Sequence, residues 1–410
     1  MRRVVITGLG VVSPAGSGKA AFWERITAGV GGIGRIDRFD PEGFASQIAG
    51  QVRDFDADAY VSSKEQRRMD LFGVFAVAAA KMAVADAGID WTRTDTERCG
   101  VAVTSGIGGI GTMAGEQMLL AEKGPRRISP FAVPQMIINM PAGLIAIEYG
   151  LKGPNFATVT ACAAALHAIG LAFRSIRHGE ADVMLAGGAE APLTPIGLAS
   201  FGAMRALSTR NDDPEHACRP FDRERDGFIM GEGAGVVVLE EYGHAARRGA
   251  TVYAELAGFG MTCDAHHMTA PREDGAGAMR AMQAAMRDAG LAPGDIDYIN
   301  AHGTSTPLND ASETLAIKRA FGDAARRVMV SSSKSMTGHL LGAAGGVESV
   351  VCALALRDGV VPPTINYTTP DPACDLDYVP NTARAHPVRA CLNNSFGFGG
   401  HNACLAFKRV

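Results

Sequence analysis

Cys162 sits in "ATVTACAAALHAIG" (157–170), a lone sulfur among alanines between an apolar segment and a helical pattern. A thiol there is either a small core residue, as free cysteines commonly are, or a nucleophile. Leu166, Ile169, Phe173 and Ile176 recur at spacings of three and four, which marks the buried face of a helix. Arg174, Arg177 and His178 crowd its far end, where positive charge suits the helix dipole. "FATVT" reads as a strand ending at Thr160, so Cys162 falls in the first helical turn. Unpaired backbone N–H groups and the positive dipole end there lower a thiol pKa from about 8.5 to the range of roughly 3.5 to 7.5. The sequence-based expectation is therefore an ionisable cysteine.

Groups able to assist it lie in the second half of the chain. "NAHGTSTPLND" places His302 just after the strand "YIN". "SSSKSMTGHLLGAAGG" places Lys334 and His339 after "VMV", at the start of a further helix. Functional groups of α/β sheets gather at strand carboxyl ends, and Cys162, His302, Lys334 and His339 all read as sitting there. Each histidine alone is equally well explained by a structural hydrogen-bond network. A fourth element is "NNSFGFGGHN" (393–402), whose Gly397, Gly399 and Gly400 permit close approach of backbone to a ligand. No Lys-Ser/Thr pair and no long helix follow, so this is not a phosphate loop. It suits donation of N–H groups to an oxyanion. Phe396 and Phe398 either line an apolar tunnel or belong to the core.

Internal echoes show what must position these groups. "TGLGVVSPA" (7–15) resembles "AGFGMTCDA" (257–265), and "DAGI" (86–89) resembles "DAGL" (288–291). Each "DAG" follows an alanine-rich helical pattern and precedes an apolar strand, "GVAVTSG" or "DYINAHG". "AIGLAFRSIRHG" (168–179) can be laid on "ESVVCALALRDG" (348–359). Matches in the same order imply two α/β halves of like topology, residues 1–250 carrying Cys162 and residues 251–410 carrying His302, Lys334 and His339. Continuous apolar runs such as "DVMLAGGAE" and "GAGVVVLEE" read as buried strands alternating with helices, hence stacked α/β/α layers.

Bulk properties exclude several classes. The 410 residues are 47% hydrophobic and 20% charged with net charge −4, which predicts a folded protein without the basic footprint of a nucleic-acid binder. The longest uncharged run, Gly153 to Phe173, holds Pro154, Asn155 and His167 and reads as buried strand and helix rather than a membrane span. The N-terminal "MRRVVITGLGVVSP" is broken by Thr7, Gly8 and Gly10 and reads as a first strand, not a signal peptide. Eight cysteines without a CxxC pair point to reduced thiols and a cytoplasmic location. "GSGK" (16–19) lacks the following Ser/Thr of a P-loop, and the adjacent His266 and His267 of "CDAHH" point apart, so neither a nucleotide nor a metal site is expected.

Taken together, "TACAAA", "NAHGTSTPLND", "SSKSMTGHLLGAAGG" and "NSFGFGGHN" resemble the β-ketoacyl-acyl-carrier-protein synthases, specifically the type II elongating enzymes. So do "RALSTRNDDPEHACRPFDRERDGFIMGEGAGVVVLEE" and "DAHHMTAP". The resemblance spans the chain in order and implies the thiolase-like five-layer αβαβα fold of two duplicated halves. It implies a decarboxylating Claisen condensation in fatty-acid elongation, or the ketosynthase role in a type II polyketide system beside a chain-length factor. A non-catalytic chain-length partner would not need Cys162.

By the same resemblance Cys162 carries the acyl group and His302 and His339 stabilise the enolate. Lys334 sets their electrostatics, and the N–H groups of Cys162 and Phe398 form the oxyanion hole. Phe398 also acts as a gate, Phe396 and Gly399 border the substrate, Ile107 lines the acyl pocket, and Glu313 supports Lys334. Thr304 and Thr306 match residues that bind a phosphopantetheine arm, although capping of the "GTST" turn accounts for either one equally well. No cofactor beyond that arm, delivered on the carrier protein, and no metal are implied; a homodimer is.

Carrier proteins are acidic, so docking calls for basic groups. Lys64, Arg67 and Arg68 in "KEQRR", Arg126 and Arg127 in "EKGPRR", and Arg205 match docking positions, whereas composition alone assigns such runs to a solvated face. Two departures stand out: His401 where Thr is common, and Ala165 where Gly is frequent.

Overall fold

A computed structural model describes the whole chain, residues 1–410. Ten strands form the main sheet: nine in a continuous order, and the two-residue strand Gly16–Ser17 paired to the end of the first. The first half contributes β1 (Val4–Ser13), β2 (Cys99–Thr104), β3 (Val183–Glu190) and β4 (Gly233–Glu241). The second contributes β5 (Ala254–Cys263), β6 (Tyr298–Asn300), β7 (Met329–Ser331), β8 (Ala390–Gly397) and β9 (His401–Lys408). Outward from the centre the first half runs β1-β4-β3-β2, and the second runs β5-β9-β8-β6-β7. A parallel bridge from Val101 to Asn155 adds to the first half the counterpart of β7.

Pairing directions match as well. β4 is antiparallel to β1 and β3, and β9 is antiparallel to β5 and β8. β2 lies parallel to β3, as β6 lies parallel to β8. The halves join where β1 meets β5, at Val4↔Leu256, Val5↔Glu255 and Ile6↔Ala254.

Helices complete five layers. α1 (Leu71–Ala87) and α2 (Met140–Tyr149) cover the outside of the first half-sheet. α4 (Ala276–Ala289) and α5 (Pro307–Phe321) form the outer layer of the second. α3 (Ala164–Arg177) and α6 (Ala344–Asp358) lie against each other between the two half-sheets and touch strands of both. α6 is buried without a break from Ala344 to Leu356, as a helix with sheet on two sides must be.

The repeated "GLG" and "GFG" now have a physical reason. A Cβ on Gly10 would lie 1.8 Å from the Ala79 carbonyl oxygen of α1, and one on Gly260 would lie 2.0 Å from that of Ala281 in α4. Glycine in the strand and alanine in the helix let each outer helix sit directly on its sheet.

Two local expectations are corrected. "FATVT" is not a regular strand: the residue before it, Asn155, bridges to the sheet, and residues 156–160 carry no further bridge. Lys334 and His339 do not begin α6. Lys334–Thr337 is a separate short turn ended by Gly338 at φ 71°, and α6 starts at Ala344.

Candidate active site

The nucleophile position is made by an unusual turn. Ala161 adopts φ 49°, sparsely populated for a residue with a side chain, and opens a 3₁₀ turn, Ala161–Ala163, that runs into α3. Cys162 therefore rides just ahead of the helix rather than inside its first α turn. The second half repeats the geometry: Leu341 at φ 47° opens Leu341–Ala343 before α6.

A cavity of about 400 Å³ has Cys162, His302, His339, Phe396 and Phe398 in its wall. The imidazoles of His302 and His339 lie 5.3 Å apart, nearly perpendicular, and Phe396 stands 5.6 Å from His302. Each backbone is held firmly. The N–H of His302 donates to Glu313 Oε1 at 2.9 Å and that of Gly303 to Oε2 at 2.8 Å. The N–H of His339 donates to the Ile229 carbonyl at 2.7 Å, and its own carbonyl accepts from Gly231 at 2.9 Å. The Nδ1 atoms of both rings are buried without a partner, which leaves Nε2 as the nitrogen open to the cavity.

Electrostatics keep both rings neutral. Burial draws each histidine well below its usual 6.5, and the Lys334 ammonium adds to the effect. Lys334 itself is 1% exposed and pairs with Glu348 of α6. Glu313 does not meet Lys334, contrary to expectation: its carboxylate is taken by His302, Gly303 and Asn394 Nδ2. Glu348 was missed by sequence reasoning, although a lone carboxylate in the otherwise apolar "GGVESVVCALAL" was the available signal.

Cys162 is also corrected. Burial pushes its thiol up to about 12, while Lys334 and the N–H groups of Phe398 and Cys162 pull the other way without prevailing. A helix start does favour a thiolate, but a site closed to water costs the charge more.

The two N–H groups nevertheless converge on the sulfur, and Gly397 makes that possible. A Cβ there would lie 3.1 Å from Cys162 N and 2.6 Å from the Thr160 carbonyl oxygen. Thr304 and Thr306 line the cavity and share a hydrogen bond of 2.9 Å, and Thr306 also caps α5 through the Asn309 N–H.

Ile107 and Gly399 lie outside the cavity wall. Ile107 packs into the apolar cluster that contains Cys162, Leu193, Leu198 and Leu341. Gly399, at φ 84°, donates its N–H to the Met268 carbonyl at 2.7 Å. His401 stands beside His167, ring centroids 6.4 Å apart, in a second cavity behind the nucleophile.

All six basic residues expected at a docking face are exposed, and none has an ion-pair partner. Gln135 Nε2 donates to the Arg67 carbonyl at 3.2 Å, and Arg68 stacks on Phe131 at 5.1 Å. The first basic run is thereby packed against the segment that follows the second. Arg205 stands apart from them at the cavity.

The family profile described as beta-ketoacyl synthase, N-terminal domain, matches residues 1–245, and its C-terminal domain profile matches residues 253–368. The chain belongs to the β-ketoacyl synthase family. Relatives within it include the 3-oxoacyl-[acyl-carrier-protein] synthase 2 of Synechocystis, 53% identical over all of this chain and 98% of that protein. Its counterpart in Vibrio harveyi is 52% identical over all of this chain and 99% of its own length. Among solved structures, a β-ketoacyl synthase from Burkholderia phymatum superposes with TM-score 0.93 at 39% identity, each chain covered completely. A type II polyketide ketosynthase in complex with its acyl-carrier protein superposes with TM-score 0.92 at 40% identity, covering 100% of this chain and 99% of that one. The five-layer fold of duplicated halves is thus that of the synthase family, and this chain is a condensing enzyme.

Proposed function

We propose that this synthase elongates acyl chains carried on an acyl carrier protein, in fatty-acid synthesis, with Cys162, His302 and His339 performing the chemistry. The observation that carries this reading is the meeting of one thiol, two neutral imidazoles and two inward N–H groups in a single cavity.

Cys162 Sγ attacks the acyl thioester carbon; the C–S bond to the carrier arm breaks, and the arm leaves as a thiol. The proton released by Cys162 passes by way of a neutral imidazole to the departing arm sulfur, which leaves the ring neutral again. The N–H groups of Cys162 and Phe398 hold the oxyanion of the tetrahedral intermediate. Malonyl-carrier protein then enters, and its carbon–carboxylate bond breaks to release CO₂. His302 and His339 donate Nε2–H bonds to the enolate oxygen as charge develops there. The carbanion attacks the Cys162 thioester, a C–C bond forms, and Cys162 leaves and regains a proton. The product is a 3-oxoacyl chain two carbons longer. Thr304 and Thr306 lie where they can guide the carrier's phosphopantetheine arm, and no other cofactor and no metal enters the proposal.

The carrier docks on Lys64, Arg67, Arg68, Arg126 and Arg127, with Arg205 at the cavity; their exposure and lack of partners support this. We place a second copy of the chain along the segment that bridges to Val101. Val159, on the chain that follows this bridge, is 55% exposed, and Ile147 of α2 is 78% exposed. A chain-length factor in that position would turn the same chemistry to polyketide assembly. Eight free cysteines suit a reducing cytoplasm.

Mass spectrometry after incubation with acyl-carrier protein is expected to show the acyl group on Cys162 and none in Cys162→Ala. An adduct elsewhere, or condensation surviving Cys162→Ala, rejects the assignment. Charge reversal at Arg67, Arg68, Arg126 and Arg127 is expected to raise the KM for carrier substrates about tenfold without changing Tm, and an unmoved KM removes the docking face.

A further inference from the structure

Glu190 is the last residue of β3, fully buried, and no step above uses it. Its carboxylate collects four donors from two separate segments. Ser105 Oγ and the Ile107 N–H (3.2 Å) meet Oε1. The N–H groups of Gly106 (2.7 Å) and Gly342 (2.9 Å) meet Oε2.

The duplication shows what this arrangement is. β3 and β8 are matching strands, each paired antiparallel to the strand that follows it, and they end at Glu190 and Gly397. The positive-φ turns before α3 and α6 place Cys162 and Gly342 at matching positions. In the second half-sheet, Gly397 leaves the N–H of Cys162 open to an incoming carbonyl. In the first, the Glu190 side chain fills the corresponding space and takes the N–H of Gly342. The chain therefore holds two oxyanion-type sites, one open to substrate and one occupied permanently by its own carboxylate.

Filling the second site has a consequence at the first. Ile107 and Leu341 belong to the apolar cluster around Cys162, and both backbones are tied to Glu190, Ile107 directly and Leu341 through its neighbour Gly342. We propose that Glu190 is a positioning residue for acyl-chain selection, holding Leu341 in the cavity wall and Ile107 against the apolar cluster behind it, as the two walls that a Cys162-bound chain meets when it runs from the cavity into that cluster. This rests on Cys162 carrying the acyl group. A chain of few carbons ends near the sulfur and meets these walls little, whereas a long one runs along them, so loosening the tie weighs on long chains.

Glu190→Gln keeps the size but turns an NH₂ toward backbone donors, breaking at least one of the four contacts. The expected result is that the ratio of kcat/KM for lauroyl- over butyryl-carrier protein falls about tenfold, mostly through the lauroyl KM, because wall contacts discriminate by about that much. An unchanged ratio, with both donors slowed equally, overturns the proposal. Ser105→Ala removes a single donor and is expected to move the ratio the same way by less; it decides the matter if Glu190→Gln does not fold. Wild-type protein that accepts neither acyl group refutes instead the reading of Cys162.

Discussion

His302→Ala and His339→Ala will each lower malonyl decarboxylation by about 10²–10³, the usual cost of removing one preorganised donor from a developing oxyanion. The rings are fixed through their backbones, by Glu313 for His302 and by the 229–231 segment for His339. Alanine at either position therefore removes a donor without unfastening the loop. Acyl transfer to Cys162 should survive in part, since the N–H groups of Cys162 and Phe398 remain.

Release of CO₂ from malonyl-carrier protein, measured separately from acyl transfer, tests this directly. Retained decarboxylation in both variants would exclude the imidazoles as enolate donors. The pH profile is a second check. Both rings lie well below 6.5, so they stay neutral as pH falls through the ordinary histidine range. Decarboxylation should hold level there and decline only in more acidic solution; a step centred near 6.5 would mean a ring of ordinary basicity.

Lys334→Met is expected to cost both stability and activity. Lys334 and Glu348 are 1% and 2% exposed, and removing one member of a buried pair leaves the other charge uncompensated, worth about 3–5 kcal/mol. Burial already raises Glu348, and the lysine opposes that rise. Without Lys334 the carboxylate must take up a proton or stay charged in the core, and either loss appears as a lower Tm.

The double variant Lys334→Met/Glu348→Leu removes both charges and should recover most of the Tm. It should recover decarboxylation only in part, because burial still holds the imidazoles neutral but the ammonium that reinforces it and sets the field around them is missing. Full recovery of both would reduce Lys334 to a packing role. Failure to recover stability would mean that the pair is held by more than its mutual charge.

Much of the site was legible because its residues follow strands. Cys162 and His302 each come just after an extended segment, and His339 follows β7 by one short turn, so alternation of apolar runs with helical patterns locates such points without coordinates. The "GLG" and "GFG" echo was legible too, since only glycine lets a strand lie against an alanine-rich helix. Glu190 was not. It ends an apolar strand like any polar punctuation, and nothing local marks its four donors, which come from residues 105–107 and 342. The pairing of Lys334 with Glu348 rather than Glu313 was hidden for a related reason. Both glutamates lie on helices after the lysine's half begins, and only the placement of α5 outside the sheet and α6 inside it separates them.

By itself, then, the sequence determined the chemistry available to this synthase and the two-fold repetition of its layers. Residue type and hydrophobic period are local properties that survive without a third dimension. Tertiary structure decided the ionisation of each group. Burial raised Cys162 where a helix start alone would have lowered it, and burial with Lys334 kept both imidazoles neutral. Desolvation depends on everything packed around a group, and most of what surrounds Cys162 lies more than a hundred residues away along the chain.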